Sequence, residues 1–170
     1  MWHYARGLAF GATGQMAQAM AEHDSLVAIE AASPADAMIG VGNSTKAVLH
    51  VASAILSGQL LAAQGKLDDA IASLQDAVKS QDGLRYDEPP IWYYPARHTL
   101  GRLLLKAGKA ADAEAVYRED LRQNPGNGWS LNGLSQALAA KGDAAGAASA
   151  KKEFQKAWAK ADVTPAASEF

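Results

Sequence analysis

The side chains with the most chemical potential in this sequence are four histidines, His3, His23, His50 and His98, one of them inside the triplet Glu22-His23-Asp24. A helical zinc site needs two ligands at i and i+4, so that both project from one face. No two of these histidines have that spacing. Consecutive residues of a helix point in different directions, so Glu22, His23 and Asp24 do not converge on one ion. The run Gly40-Val41-Gly42-Asn43-Ser44-Thr45-Lys46 has the outline of a phosphate loop, but it lacks the glycine directly before the lysine. No buried strand leads into it either, so the cradle of backbone N–H groups is not expected. The chain has no cysteine, which excludes disulfides, thiolate catalysis and Cys-ligated zinc. No Gly-x-Ser-x-Gly elbow is present. These residues predict no catalytic site, no metal and no cofactor, and hence a protein that is not an enzyme.

The elements that position these residues are read from a repeat. Four times a glycine is followed five residues later by an alanine: Gly14 with Ala19, Gly65 with Ala70, Gly108 with Ala113, and Gly142 with Ala147. Each pair lies between two stretches with apolar residues at helical spacing. The glycines are 51, 43 and 34 residues apart. The last interval is the length of a helix–turn–helix repeat, and the longer two are the same unit with loop inserted. This predicts an all-α array of about four helical hairpins, an architecture that usually holds partners and seldom does chemistry.

The hairpins are placed at about 2–32, 43–80, 93–123 and 128–161, forming one domain over 1–162 with a tail at 163–170. Ser33-Pro34-Ala35-Asp36 reads as a capping box with proline at the first helical position, hence a short extra turn. Asn43 or Ser44 caps the next helix, whose stripe of Val48, Val51, Ile55, Leu56, Leu60 and Leu61 has a 3.6-residue period. Pro89-Pro90 closes a polar loop, and Asn124-Pro125-Gly126-Asn127-Gly128 is a stop-and-turn signal. No stretch alternates as a strand does.

Composition narrows the partners. Apolar residues make up 49% and charged residues 20%, ordinary globular usage that argues against disorder. The net charge of −2 is spread over interspersed signs, without the basic stripe that nucleic acid demands. Lys151, Lys152, Lys156 and Lys160 share one helix and read as a solvated face near its C-terminus. No run of about 18 apolar residues suggests membrane insertion. No basic-then-apolar leader opens the chain. Instead Trp2, Tyr4 and Phe10 stand almost at the terminus, where an array normally has a polar cap, which predicts a fragment lacking upstream repeats. Localisation therefore stays unknown, a soluble domain of either cytoplasm or periplasm.

Leu100-Gly101, Leu104, Gly108, Ala113, Tyr117 and Pro125 resemble the tetratricopeptide repeat (TPR) signature: leucine–glycine pair, large apolar residue, turn glycine, packing alanine, aromatic and closing proline. Gly58, Leu61, Gly65, Ala70 and Leu74 resemble it without the proline. Ser135, Leu138, Gly142 and Ala147 match in the fourth unit, with Lys151 at the aromatic place. In the first, Gly7, Phe10, Gly14 and Ala19 match, with His23 there. Trp92-Tyr93-Tyr94-Pro95-Ala96-Arg97 and the run from Asn124 to Leu134 are similar to the C-terminal part of longer bacterial TPR proteins of undefined role.

The resemblance implies a right-handed superhelix whose leading helices line a concave groove that binds a protein or peptide. Carried onto this chain, the groove positions are Tyr4 and Leu8, then Ile55 and Gln59, then His98, Arg102 and Lys106, then Asn132 and Gln136. The Arg102 fork with the amides of Asn132 and Gln136 suits a carboxylate or an extended backbone. The family's clamp for chaperone tails is not expected. Its lysine and asparagine places hold Tyr4, Leu8, Leu56, Pro95 and Thr99 in one window, and Ile55, Gln59, Thr99, Trp129 and Gly133 in the next. Tyr86, Trp92, Tyr93 and Tyr94 form either a ligand platform or, the preferred reading, a pin that holds the long insertion onto the neighbouring hairpin. Two other roles stand beside the interaction scaffold: stacking into a homo-oligomer through the ends near Trp2 and Trp158, or service as an auxiliary domain of a larger enzyme or sensor.

Overall fold

The computed structural model describes residues 1–168, and the last two positions of the expected 163–170 tail lie outside the described residues. The fold is an all-α helical repeat array. Its helices are α1 (Trp2–Ala12), α2 (Met16–Ala32), α3 (Thr45–Ala63), α4 (Leu67–Asp82), α5 (Ala96–Lys106), α6 (Ala110–Gln123), α7 (Gly128–Ala140) and α8 (Ala144–Ala157). The chain divides into two compact units, Met1–Ala96 and Arg97–Phe170.

The repeat glycines all make the same turn. Gly14, Gly65, Gly108 and Gly142 have φ of 76°, 79°, 73° and 82°, the left-handed region that costs glycine nothing. The residue after each glycine donates its N–H to the carbonyl five positions back. The pairs are Gln15 to Phe10, Lys66 to Leu61, Lys109 to Leu104 and Asp143 to Leu138, at 2.8 to 3.0 Å. This Schellman closure satisfies a helix-end carbonyl and sets the angle at which the second helix returns. The alanines then sit where the hairpin is tightest. Ala19, Ala70 and Ala113 are wholly buried, and Ala147 is half-buried.

In the first unit α1 packs on α2, α2 on α3, and α3 on both α1 and α4. Helix α3 is its centre, with Val51, Ile55 and Leu56 wholly buried. By length and composition α3 is apolar enough to cross a membrane, contrary to the expectation that no segment would be. Most of that helix is buried, as a core helix is. A Cβ on Gly58 would come within 2.7 Å of Leu74 Cγ, so the α3–α4 crossing needs glycine there.

One local expectation fails in this unit, that no strand would form, while the short extra turn after Ser33 is present. Ser33 to Ala37 forms a turn closed by the Ala37 N–H on the Pro34 carbonyl, with no capped helix, and an antiparallel ribbon follows: β1 (Met38–Ile39) pairs with β2 (Asn43–Ser44). Gly40 and Gly42, at φ 61° and 97°, let the chain reverse there, where the sequence has no alternation to announce a strand. Of the two cap candidates, Ser44 stands at the N-cap of α3 without a side-chain cap bond, and Asn43 does not cap it. Its side chain is buried, donating to the Arg85 carbonyl (3.1 Å) and accepting the Arg85 N–H (2.7 Å). Val41 N–H also reaches Asp87 (3.0 Å), so the two long insertions are tied to each other.

In the second unit α7 packs on α6 and α8. Tyr117 of α6 is wholly buried, and a Cβ on either Gly101 or Gly133 would run into its ring. The fourth repeat has Ser135 at the glycine position, and its hydroxyl donates to the Ala147 carbonyl across the hairpin (3.1 Å). Helix α8 stops at Ala157, short of the expected 161. Trp158 lies edge-on to Trp129 and stacked on Phe154, and its Nε1–H donates to the Val163 carbonyl (2.6 Å), which turns the chain back.

Candidate functional site

Asn127 sets the register of α7 by accepting the N–H groups of Trp129 (3.0 Å) and Ser130 (3.5 Å) at the helix start. Asn132 and Gln136, one turn apart, therefore project from the same side. Their carboxamides hold the segment after α8. Asn132 Nδ2 donates to the carbonyls of Pro165 (3.3 Å) and Ala167 (3.1 Å), and Gln136 Nε2 donates to that of Ala166 (3.0 Å). Ser168 ends the run, 1% exposed. Its hydroxyl donates to the His98 carbonyl (2.8 Å), which leaves its oxygen to accept the Tyr117 hydroxyl (2.7 Å). The described part of the expected tail, through Ser168, is thus docked on α7. Two amides read backbone carbonyls, acceptors that every residue offers, while the serine is read by its side chain.

Of the other expected groove residues here, Arg102 is half-buried and Lys106 exposed. His98 is 4% exposed and presents no side chain to a partner, which corrects its placement in the groove. Its Nε2 lies 3.3 Å from Asp120 Oδ2 and 3.1 Å from Asn127 Nδ2. Asp120, wholly buried, also accepts the Ser130 hydroxyl (2.5 Å) and Asn124 Nδ2 (3.0 Å). Histidine and serine both address Asp120 and not each other, so these two do not form a base–nucleophile pair. The network instead satisfies a buried carboxyl group and pins the α6–α7 turn.

The corresponding face of the first unit is closed differently. Tyr4 is 3% exposed, with the Trp92 ring edge-on at 5.4 Å and its hydroxyl 3.1 Å from that of Tyr94. Burial, reinforced by the Tyr94 hydroxyl, pushes the Tyr4 phenol far above its ordinary range, so it stays neutral. Ile55 is wholly buried, while Leu8 and Gln59 are half-buried. Tyr4 and Ile55 therefore offer no surface either. Trp92 is buried, Tyr94 half-buried, and only Tyr93 of the three exposes most of its ring. Gln81 completes the attachment, donating to the Tyr94 carbonyl (3.2 Å) and accepting the Ala96 N–H (2.7 Å). The aromatic run pins the 83–95 insertion and is no open platform.

His3 and His50 each lie within hydrogen-bond distance of carboxylates. His3 Nδ1 and Arg6 Nη2 meet the two oxygens of Glu22 at 2.7 and 3.0 Å, so Glu22 turns towards α1 while Asp24 stays exposed. His50 bridges Glu30 and Asp76, 2.7 Å from each. Only the imidazolium donates from both nitrogens. Partial burial lowers the His50 pKa, but the bonds to Glu30 and Asp76 outweigh it, and the net shift is upward. The site lies in an open hollow of about 570 Å³ that Lys46 and Lys79 also line.

Sequence reasoning missed Tyr117 as a hydroxyl donor, because the family pattern presents that position as a packed ring. It missed residues 165–168 entirely, since a short run of proline, alanine and serine has no periodicity to read. The tetratricopeptide repeat family model matches residues 98–162, from the third residue of α5 to the residue before the docked segment. No curated protein matches the sequence.

Proposed function

We propose, from a second unit whose residues 98–162 match the tetratricopeptide repeat family model, that the chain is a non-catalytic scaffold for protein–protein interaction. Its working surface is the face of α5 and α7 carrying Arg102, Lys106, Asn132 and Gln136. The ligand is a short non-helical segment of a partner protein. One observation carries this reading: the Asn132 and Gln136 amides hold three successive backbone carbonyls, those of Pro165, Ala166 and Ala167. A face that grips one segment by groups common to all peptides has the chemistry to grip another.

Self-assembly is the weaker alternative, because Trp158, one of its expected stacking ends, is engaged with Trp129, Phe154 and Val163. Trp2 remains 69% exposed at the other end. The scaffold reading is tested by panning a displayed random-peptide library on the full chain and on the Asn132→Ala/Gln136→Ala variant. Enrichment that the double variant loses supports it. Enrichment that ignores the double change, or none with either chain, overturns it.

A further inference from the structure

We propose that residues 163–168 are a built-in competitor for the peptide site on α5 and α7, and that the partner is a serine-anchored segment that binds by displacing them. This rests on the scaffold reading above and adds the chemistry of the ligand and the state of the site before it arrives.

The segment follows the matched repeat, which ends at 162, so no hairpin needs it to complete its helix pair. It buries little. Val163 is 57% exposed, Thr164 and Ala166 are exposed, and Pro165 and Ala167 are half-buried. What holds it is polar: the three carbonyl contacts and the Ser168 hydroxyl between Tyr117 and the His98 carbonyl. Bonds of this kind exchange readily for equivalent bonds to another chain, since the displacing segment restores each one. The short connection from Trp158 gives the segment a high effective concentration, which weakens any free competitor without excluding it.

Selectivity is unevenly spread along the site. The first three places are read through carbonyls and leave their side chains in or near solvent, so many residues fit. The fourth is enclosed, and it presents one donor, the Tyr117 hydroxyl, and one acceptor, the His98 carbonyl. A hydroxyl bonds both at once, which alanine cannot do. The partner is therefore defined by a serine three or more residues into a non-helical run.

The test is fluorescence anisotropy with the labelled, end-capped peptide Val-Thr-Pro-Ala-Ala-Ser against the full chain and its Ser168→Asp variant. The aspartate opposes the His98 carbonyl and releases the segment. The expected result is binding at least tenfold tighter by Ser168→Asp than by the unchanged chain. Adding Asn132→Ala, or replacing the peptide's serine by alanine, costs at least tenfold. A second measurement needs no variant: a saturating library-selected peptide added to the unchanged chain should speed amide exchange at 163–168. Equal affinity of that library-selected peptide for both chains, with exchange at 163–168 unmoved, overturns the competitor and leaves the scaffold standing. Absence of any peptide binding to either chain overturns both. Tight binding of a peptide without serine, indifferent to Tyr117→Phe, overturns the serine anchor.

Discussion

In the first unit an indole covers the leading-helix face: Trp92 packs edge-on against Tyr4, and Gln81 locks the insertion that carries it to the start of α5. In the second unit the same kind of face is covered by a few small residues, held mainly by amides on their carbonyls. The two covers differ in what removing them exposes. Lifting Trp92 would wet a large buried ring, a cost that scales with apolar area. Lifting 163–168 exchanges hydrogen bonds for hydrogen bonds to water or to another peptide. One face is sealed into the core, and the other is closed by something replaceable. The difference explains why the scaffold reading settles on α5 and α7, although the family pattern marks positions in both units.

The largest expected effect breaks the first cover. Trp92→Ala should cost about 3–5 kcal/mol, the range for deleting a buried aromatic. Hydrogen exchange should show the loss across α1 and the 83–95 insertion. A change near zero would mean that the indole is a detachable lid like its counterpart, and the contrast between the two units would vanish.

Next is the framework beneath the second cover. Ala113→Leu adds volume at a wholly buried hairpin crossing and should cost about 1–3 kcal/mol by overpacking. Thermal unfolding checks it. Unchanged stability would show that α5 and α6 do not need a small residue between them.

Smaller again is the second cover itself. Asn132→Ala removes two carbonyl contacts and should lower global stability by no more than about 1–2 kcal/mol, while amide exchange at 163–168 rises sharply. A loss as large as that of Trp92→Ala would make the segment part of the core.

What the sequence made legible follows from which interactions are periodic. Gly14, Gly65, Gly108 and Gly142 recur because a helix reversal needs a positive φ, so four hairpins can be read without coordinates. Gly101 was legible as a close approach, though what approaches it is the Tyr117 ring. Asn132 and Gln136 could be placed on one face by their spacing. Their ligand could not, because carbonyl bonding leaves no trace in residue type. His98, Tyr4 and Ile55 fell to the same gap: helix register says which way a side chain points, and not what arrives to cover it. Asn43 and Ser44 read as equal cap candidates, since a cap and a loop staple ask for the same residue types; Arg85, far along the chain, takes Asn43 and leaves Ser44 at the N-cap.

The smallest effect sharpens the comparison by pH. His50 lies in the first unit and has a folded pKa raised above its ordinary value of about 6.5. Its contribution is therefore complete below that ordinary value and is lost as pH rises through the raised one. Glu119 in the second unit behaves oppositely. The Arg122 guanidinium, with Gln123, holds its carboxyl at about 2, so what it contributes is present above the ordinary glutamate range and is lost only in strong acid. Both groups are solvent-exposed enough that screening keeps the effects modest. Between about pH 6 and 9, then, amide exchange in α2–α4 should accelerate with rising pH relative to the His50→Gln variant, while that in α6 and α7 should not diverge. Equal divergence in both units would mean that the Glu30–His50–Asp76 bridge is not what responds. Its absence from both would mean that the imidazolium does not hold the two carboxylates in solution.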